Sequence, residues 1–67
     1  MKIKVGDIVV ILENEMTLNN VVLTKGKKAI VLEVCNDGTL LVKELFDPFR
    51  DDSWYTAPNN VMVVALI

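Results

Sequence analysis

A tight turn between two apolar runs constrains this chain more than any other feature. The turn Asn36-Asp37-Gly38 joins residues 28–35 to residues 39–45, and both runs are rich in β-branched and aliphatic side chains. An Asp-Gly pair supplies the positive φ that a hairpin turn requires. The pattern predicts an antiparallel hairpin, which places the chain among all-β folds.

Three other short runs of β-forming residues complete the expected strand set. Residues 8–12, 53–56 and 61–66 each lie between turn-forming residues. Val and Ile are poor helix formers and the runs are shorter than a typical helix, so strands are favoured. Pro58-Asn59-Asn60 predicts one turn of 3₁₀ helix before the last strand. The sequence therefore predicts five short strands and no helix longer than a turn.

The connection at residues 13–26 is long and only partly polar. Asn and Gly residues interrupt it, but residues 21–23 are Val-Val-Leu. We expect an excursion with a short strand-like piece at residues 21–23 that lies against the main sheet. The alternative is an irregular loop pinned by its own apolar side chains. Strands this short are stable only when their sheet closes or packs on another layer.

Length and composition limit the organisation of the chain. With 67 residues, one domain spanning 1–67 is expected. A single cysteine excludes an intrachain disulfide, and the absence of histidine leaves no zinc-finger spacing. The longest apolar runs, residues 8–12 and 61–67, are far shorter than the roughly 20 residues of a membrane span. No signal-peptide pattern opens the sequence, so a cytoplasmic location is expected.

Two segments near the start carry a distinctive glycine pattern: residues 5–11 read VGDIVVI and residues 25–34 read KGKKAIVLEV. They resemble the opening of KOW-like and related bacterial SH3-like barrels, whose pattern is Gly-Asp-x-Val-x-Val followed by Lys-Gly-x-x-Gly-x-Val. Ala29 stands where that pattern has its second glycine. The later segments NDGTLLV and PNNV look like small stand-alone SH3-like domains of bacteria and phages. The resemblance implies a five-stranded SH3-like barrel with a long first loop and a 3₁₀ turn before the last strand.

Catalytic and metal chemistry find little support in the sequence. General acid–base work needs a group with a shiftable proton in a pocket, but histidine is absent and the carboxylates fall mostly in expected loops. Cys35 lies beside Asn36 and Asp37, a setting that raises the pKa of a thiol and disfavours a nucleophile. Residues 47–52 hold three aspartates without the glycine of an EF-hand loop. We expect no enzyme activity, no cofactor and no metal.

The charge pattern argues against nucleic acid as the main partner. The formal net charge is −2 and the isoelectric point is near 4.8, whereas phosphate binding usually needs a basic surface. Lys25, Lys27 and Lys28 form the basic cluster of the sequence and are the candidates for a phosphate contact. The alternative is a solvated, charged turn beside the hairpin.

All four aromatic residues fall within ten positions. They are Phe46, Phe49, Trp54 and Tyr55, with Arg50 among them. Trp54 and Tyr55 are consecutive on an expected strand, so one side chain faces the core and the other faces out. Aromatic residues and arginine dominate binding hot spots. These five residues are the predicted partner-binding site, and the alternative is that Phe46 and Trp54 cap the end of the barrel.

The strands themselves suggest a second surface. Residues 8–12, 29–32, 40–42 and 61–67 do not alternate between apolar and polar, so both of their faces are apolar. A barrel has one interior, and a large apolar patch is rarely left uncovered. The last strand also lacks the charges that usually protect an edge. We expect a homodimer or higher oligomer, with Val61, Val63, Ala65 and Ile67 at its interface.

These features favour one function and leave two alternatives. The leading hypothesis is a non-catalytic protein-interaction module, with the resemblance implying a small phage or bacterial regulator or inhibitor that binds a host or assembly protein. The first alternative is a KOW-like nucleic-acid or ribosome-associated module. The second alternative is a structural subunit that associates only with copies of itself.

Overall fold

The hairpin around Asn36-Asp37-Gly38 forms where the sequence predicts it. The computed structural model describes residues 2–45 and 52–64, and within them Lys28–Val34 (β4) pairs antiparallel with Leu40–Glu44 (β5). Gly38 has a φ of +91°, and Cys35 N–H donates to Thr39 O at 2.8 Å. Asp37 Oδ1 accepts the Thr39 N–H at 2.9 Å. That bond favours the ionised carboxylate and holds the pKa of Asp37 below its usual value.

Seven strands and one 3₁₀ turn make up the described part of the chain. Besides β4 and β5, the strands are Ile8–Ile11 (β1), Glu15–Thr17 (β2), Asn20–Leu23 (β3), Ser53–Thr56 (β6) and Val61–Val63 (β7). The 3₁₀ turn, Pro58–Asn60, precedes β7. The expectation of an all-β fold is confirmed, and so is the 3₁₀ turn before the last strand.

The main sheet has five strands in the order β6-β5-β4-β1-β7, all antiparallel. Strand β1 lies inside the sheet, because it pairs with β4 on one side and with β7 on the other. Within the described residues this sheet does not close, since β6 and β7 are its two ends. The architecture is therefore an open five-stranded sheet with a second, two-stranded sheet, rather than the single closed barrel that the sequence led us to expect.

The second sheet is the hairpin β2–β3, which occupies the long first connection. The strand-like piece expected at residues 21–23 is part of β3, and Leu23 is fully buried in the main core. Strand β2 is an addition, because Glu-Met-Thr carries no strong β pattern. The turn between the two strands includes Leu18, which has a φ of +51°.

Side-chain hydrogen bonds fasten this hairpin to the main sheet. Glu44 Oε1 accepts the Thr24 N–H at 2.6 Å, and Asn14 Oδ1 accepts the Lys25 N–H at 2.7 Å. The side chain of Asn60 bonds twice to the backbone of Glu13: Asn60 Oδ1 accepts the Glu13 N–H, and Asn60 Nδ2 donates to the Glu13 carbonyl oxygen, both at 3.0 Å. Because these bonds bridge distant parts of the chain, they fix where the hairpin lies over the sheet.

Strand alternation divides the main sheet into two faces. The inner face and Leu23 form one buried cluster, made of Val9, Ile11, Leu23, Ala29, Val31, Leu40, Val42 and Val61. Ile3, Trp54 and Val63 pack against this cluster while partly exposed. Ile8 is 7% exposed yet lies outside the cluster, because its side chain is on the opposite face. No helix in the described part of the chain is long and apolar enough to cross a membrane.

The buried carboxylate of Glu44 gives a test of how the hairpin is held. Glu44→Ala removes the acceptor for the Thr24 N–H, so we expect the free energy of unfolding to fall by about 1–3 kcal/mol. Glu44→Gln retains an acceptor oxygen and should lose less. Urea denaturation at neutral pH measures both variants. Glu33→Ala, at an exposed position of β4, is the control and should change stability by no more than about 0.5 kcal/mol. Equal losses for Glu44→Ala and Glu33→Ala would contradict this role.

Candidate functional site

Strand β6 separates the two consecutive aromatic residues. Trp54 pairs with Val42 and packs against the core, whereas Tyr55 pairs with Leu41 and is 56% exposed. The expectation that one ring serves the core and the other faces solvent is confirmed. Phe46, Phe49 and Arg50 lie outside the described residues. Their part in partner binding, like that of Trp54 and Tyr55, stays a prediction.

Tyr55 belongs to a broad apolar surface, which we call the outer face. It is the side of the main sheet opposite the core, and three rows of cross-strand neighbours build it. One row pairs Tyr55 with Leu41, a second pairs Ile30 with Ile8, and a third pairs Val10 with Met62. Leu32 stands at the irregular step of β4, between Val31 and Glu33, and is 42% exposed. Apolar side chains thus reach from one end strand of the sheet to the other.

The outer face is apolar but not uniformly so. Lys28 lies beside Val10, and Lys43 lies between Ile30 and Ser53. A lysine can lay its aliphatic stem on apolar neighbours and keep its ammonium group in water. These two residues therefore leave the surface apolar while giving it positive charge.

The last strand presents a different side chain from the ones the sequence suggested. Val61 is 7% exposed and Val63 packs against the core, so both side chains are used inside their own subunit. Met62 is 56% exposed and lies on the outer face. Ala65 and Ile67 lie outside the described residues. A self-interface through these four residues stays a prediction, and Met62 is the β7 side chain most accessible to any partner.

The three lysines of the basic cluster differ in their surroundings. Lys25 Nζ is 3.5 Å from Glu13 Oε2, with both side chains 69% exposed. Such an exposed pair contributes little stability, but it offsets the charge of Lys25. Lys28 is exposed on the outer face, and Lys27 precedes β4 in the turn. Their contact with phosphate stays a prediction.

Cys35 has the environment of a weakly reactive thiol. Partial burial raises the pKa of Cys35, and the carboxylates of Glu33 and Asp37 raise it further. The thiolate is the nucleophilic form, so the side chain is poorly suited to covalent catalysis. Across residues 2–45 and 52–64, no group of three or more acidic, Cys or His side chains could hold a metal ion. The expectation that the protein is not an enzyme stays a prediction.

Comparison with known proteins adds no relative: no family model, no curated protein and no solved structure matches this chain.

Sequence reasoning found part of the outer face and missed the rest. The lack of alternation in the apolar runs indicated a second apolar face, and Ile8, Val10 and Ile30 are part of that face. Met62 was missed because the assignment of faces on β7 depends on its pairing with β1. Leu32 was within the apolar run at residues 29–32, but its face could not be assigned because the irregular step in β4 changes the parity of the strand. The face of each residue can be assigned only from the strand register, which a single sequence does not specify.

The raised pKa of Cys35 predicts slow alkylation. At pH 8 we expect iodoacetamide to react with Cys35 more slowly than with N-acetylcysteine amide, because a smaller fraction of Cys35 is thiolate. Glu33→Gln removes one of the charges that raise the pKa and should accelerate the reaction. Mass spectrometry over time measures both rates. A rate at or above that of the free thiol would contradict the description.

Proposed function

We propose that this chain is a non-catalytic protein-interaction module with an SH3-like fold, and that the outer face is where it binds its partner. The strand order supports the fold assignment. The SH3-like order is followed by a first strand that lies between β4 and β7, a hairpin inserted after it, and a 3₁₀ turn before the last strand. Fold alone does not assign a function, so the proposal depends on the surface.

One observation carries the proposal: the exposed apolar side chains of the outer face are contiguous across the main sheet. Tyr55 and Met62 are each 56% exposed at its two ends, and Leu41, Ile30 and Val10 lie partly exposed between them. Isolated exposed apolar residues are common, but large contiguous patches mark interaction surfaces. Tyrosine and methionine are also enriched in protein interfaces relative to other surfaces.

The charges on the outer face favour a different protein over a second copy. Lys28 and Lys43 lie within the face, and Glu33 stands at its margin opposite Leu41. Two copies that met through this face would bring lysines of the same sign close together. Like charges across an interface are destabilising, whereas a partner with acidic side chains around an apolar centre complements them. We infer such a partner.

The nucleic-acid alternative has less support. Lys25 is paired with Glu13, and the chain has a net charge of −2. A surface that displaces counterions from phosphate needs several unpaired cations on one side. The apolar outer face has no use in that function.

The proposal is tested by comparing matched variants in quantitative affinity capture. Tyr55→Ser and Met62→Ser shorten exposed apolar side chains at the two ends of the outer face. Leu18→Ser is the control, because Leu18 is 96% exposed at the tip of the β2–β3 hairpin. We expect one specific protein to lose about tenfold or more in recovery with each outer-face variant and to be retained by the control.

Two further measurements separate the alternatives. Static light scattering gives the mass of the wild-type protein in solution. A mass of 7.5 kDa, that of one chain, agrees with an outer face that binds a different protein. A larger mass that returns to 7.5 kDa in Met62→Ser would assign the face to a second copy and overturn the proposal. Salt-dependent RNA or duplex DNA binding that is lost on Lys27→Gln would favour the nucleic-acid alternative. Retention of the captured protein by both outer-face variants would also contradict the proposal.

A further inference from the structure

A second surface lies on the other side of β6 from Tyr55. It is a cleft of about 220 Å³ between the β2–β3 hairpin and the start of β6, several times the roughly 30 Å³ that one water occupies. We call it the hairpin cleft. Its lining residues are Thr17, Asn20, Val21, Val22, Asp52 and Trp54.

Strand geometry explains why these residues meet. Thr17 and Asn20 are paired at the last rung of the hairpin, beside its two-residue turn. Trp54 is the second residue of β6, and Asp52 directly precedes that strand. The hairpin thus supplies two short polar side chains, Asp52 supplies a carboxylate, and β6 supplies an indole.

The chemistry of the hairpin cleft favours a cation. Asp52 is the one charged residue among the six that line it, and its side chain is exposed rather than packed away. The ring of Trp54 provides an electron-rich surface that attracts a cation placed over it. The hydroxyl of Thr17 and the amide oxygen of Asn20 add neutral hydrogen-bond acceptors. An anion would meet the carboxylate of Asp52, and a purely apolar group would leave these polar groups unpaired.

A guanidinium group fits this set better than an ammonium group. It is planar, so it can stack on an indole while its edge donates two parallel hydrogen bonds to a carboxylate. It carries five N–H donors, which leaves some for hydroxyl and amide oxygens. An ammonium group is compact and strongly hydrated, and it cannot stack.

We propose that the hairpin cleft binds an arginine side chain of a protein partner, stacked on Trp54 and paired with Asp52. The assignment of the arginine to a protein partner rests on the proposed protein-interaction function. The cleft itself shares no residue with the outer face. The partner that covers Tyr55 can reach Trp54 only around the end strand β6, so the two contacts can be tested separately.

A small probe tests the cleft without knowledge of the partner. The probe is N-acetyl-arginine methylamide, and the matched neutral probe is the citrulline analogue, which keeps the shape of the side chain and lacks its charge. Trp54 is the only tryptophan, so its emission reports on the cleft alone. We expect a saturable change with the arginine probe at concentrations up to about 100 mM, a range that includes millimolar dissociation constants. The citrulline probe should give no saturable change.

Two substitutions test whether the charge of Asp52 is what binds the arginine probe. Asp52→Asn removes the carboxylate at nearly constant shape and should weaken arginine binding by about fivefold or more. Glu33→Gln makes the same change in net charge on the outer face and should leave the affinity unchanged. Amide shift mapping should confine the probe to residues near Thr17, Asn20 and Asp52. The comparison of arginine with citrulline uses the wild-type protein, so it stands even if a variant fails to fold.

Each other outcome overturns the inference. Equal binding of the two probes would show that charge is not recognised, and equal weakening by Asp52→Asn and Glu33→Gln would show that only net charge matters. Binding of N-acetyl-lysine methylamide as tight as that of the arginine probe would remove the guanidinium assignment. Absence of a saturable response would remove the site itself. None of these results bears on capture through the outer face, which Tyr55→Ser and Met62→Ser test independently.

Discussion

The pairing of β1 with two neighbours is the constraint on which the rest of the structure depends. Val9 lies between Ala29 of β4 and Val63 of β7, so one residue sets the register of strands from the middle and the end of the chain. A slip of one residue would exchange the two faces of β1 and place Ile8 and Val10 in the core. Because β4 and β7 both pair with β1, this register decides which side chains of β1, β4 and β7 are buried.

The same register places apolar side chains on the outer face as a consequence of building a small core. The chain is 52% hydrophobic, and the inner face of the five-stranded sheet with the covering hairpin forms the buried cluster. On the outer face Ile8 is buried, whereas Tyr55 and Met62 are each 56% exposed. The exposed part of this apolar excess is the basis of the proposed protein-binding role, and Lys28 and Lys43 are the basis of the proposed acidic partner.

Polar contacts then position the hairpin that completes the inner side. Asn60 and Glu44 reach Glu13 and Thr24 at the two ends of the β2–β3 excursion, and Leu23 is drawn into the core between them. With its ends fixed in this way, the hairpin tip lies beside the start of β6 and forms a cleft next to Trp54. Strand β6 consequently carries one aromatic ring toward each candidate surface. The hairpin cleft and the outer face are therefore separate in chemistry although they share a strand.

Local signals in the sequence determined the elements whose causes are local. Asp-Gly set the β4–β5 turn, Pro58 set the 3₁₀ turn, and the alternation of β6 set the opposite directions of Trp54 and Tyr55. The absence of histidine and the surroundings of Cys35 were also readable, since both are properties of composition or of near neighbours. Tertiary structure alone decided that the five-stranded sheet stays open in the described part of the chain, that Met62 rather than Val61 faces out, and that Asp52 meets Thr17 and Asn20. Each of these depends on pairing between residues far apart in the chain, and strand parity cannot be assigned until that pairing exists.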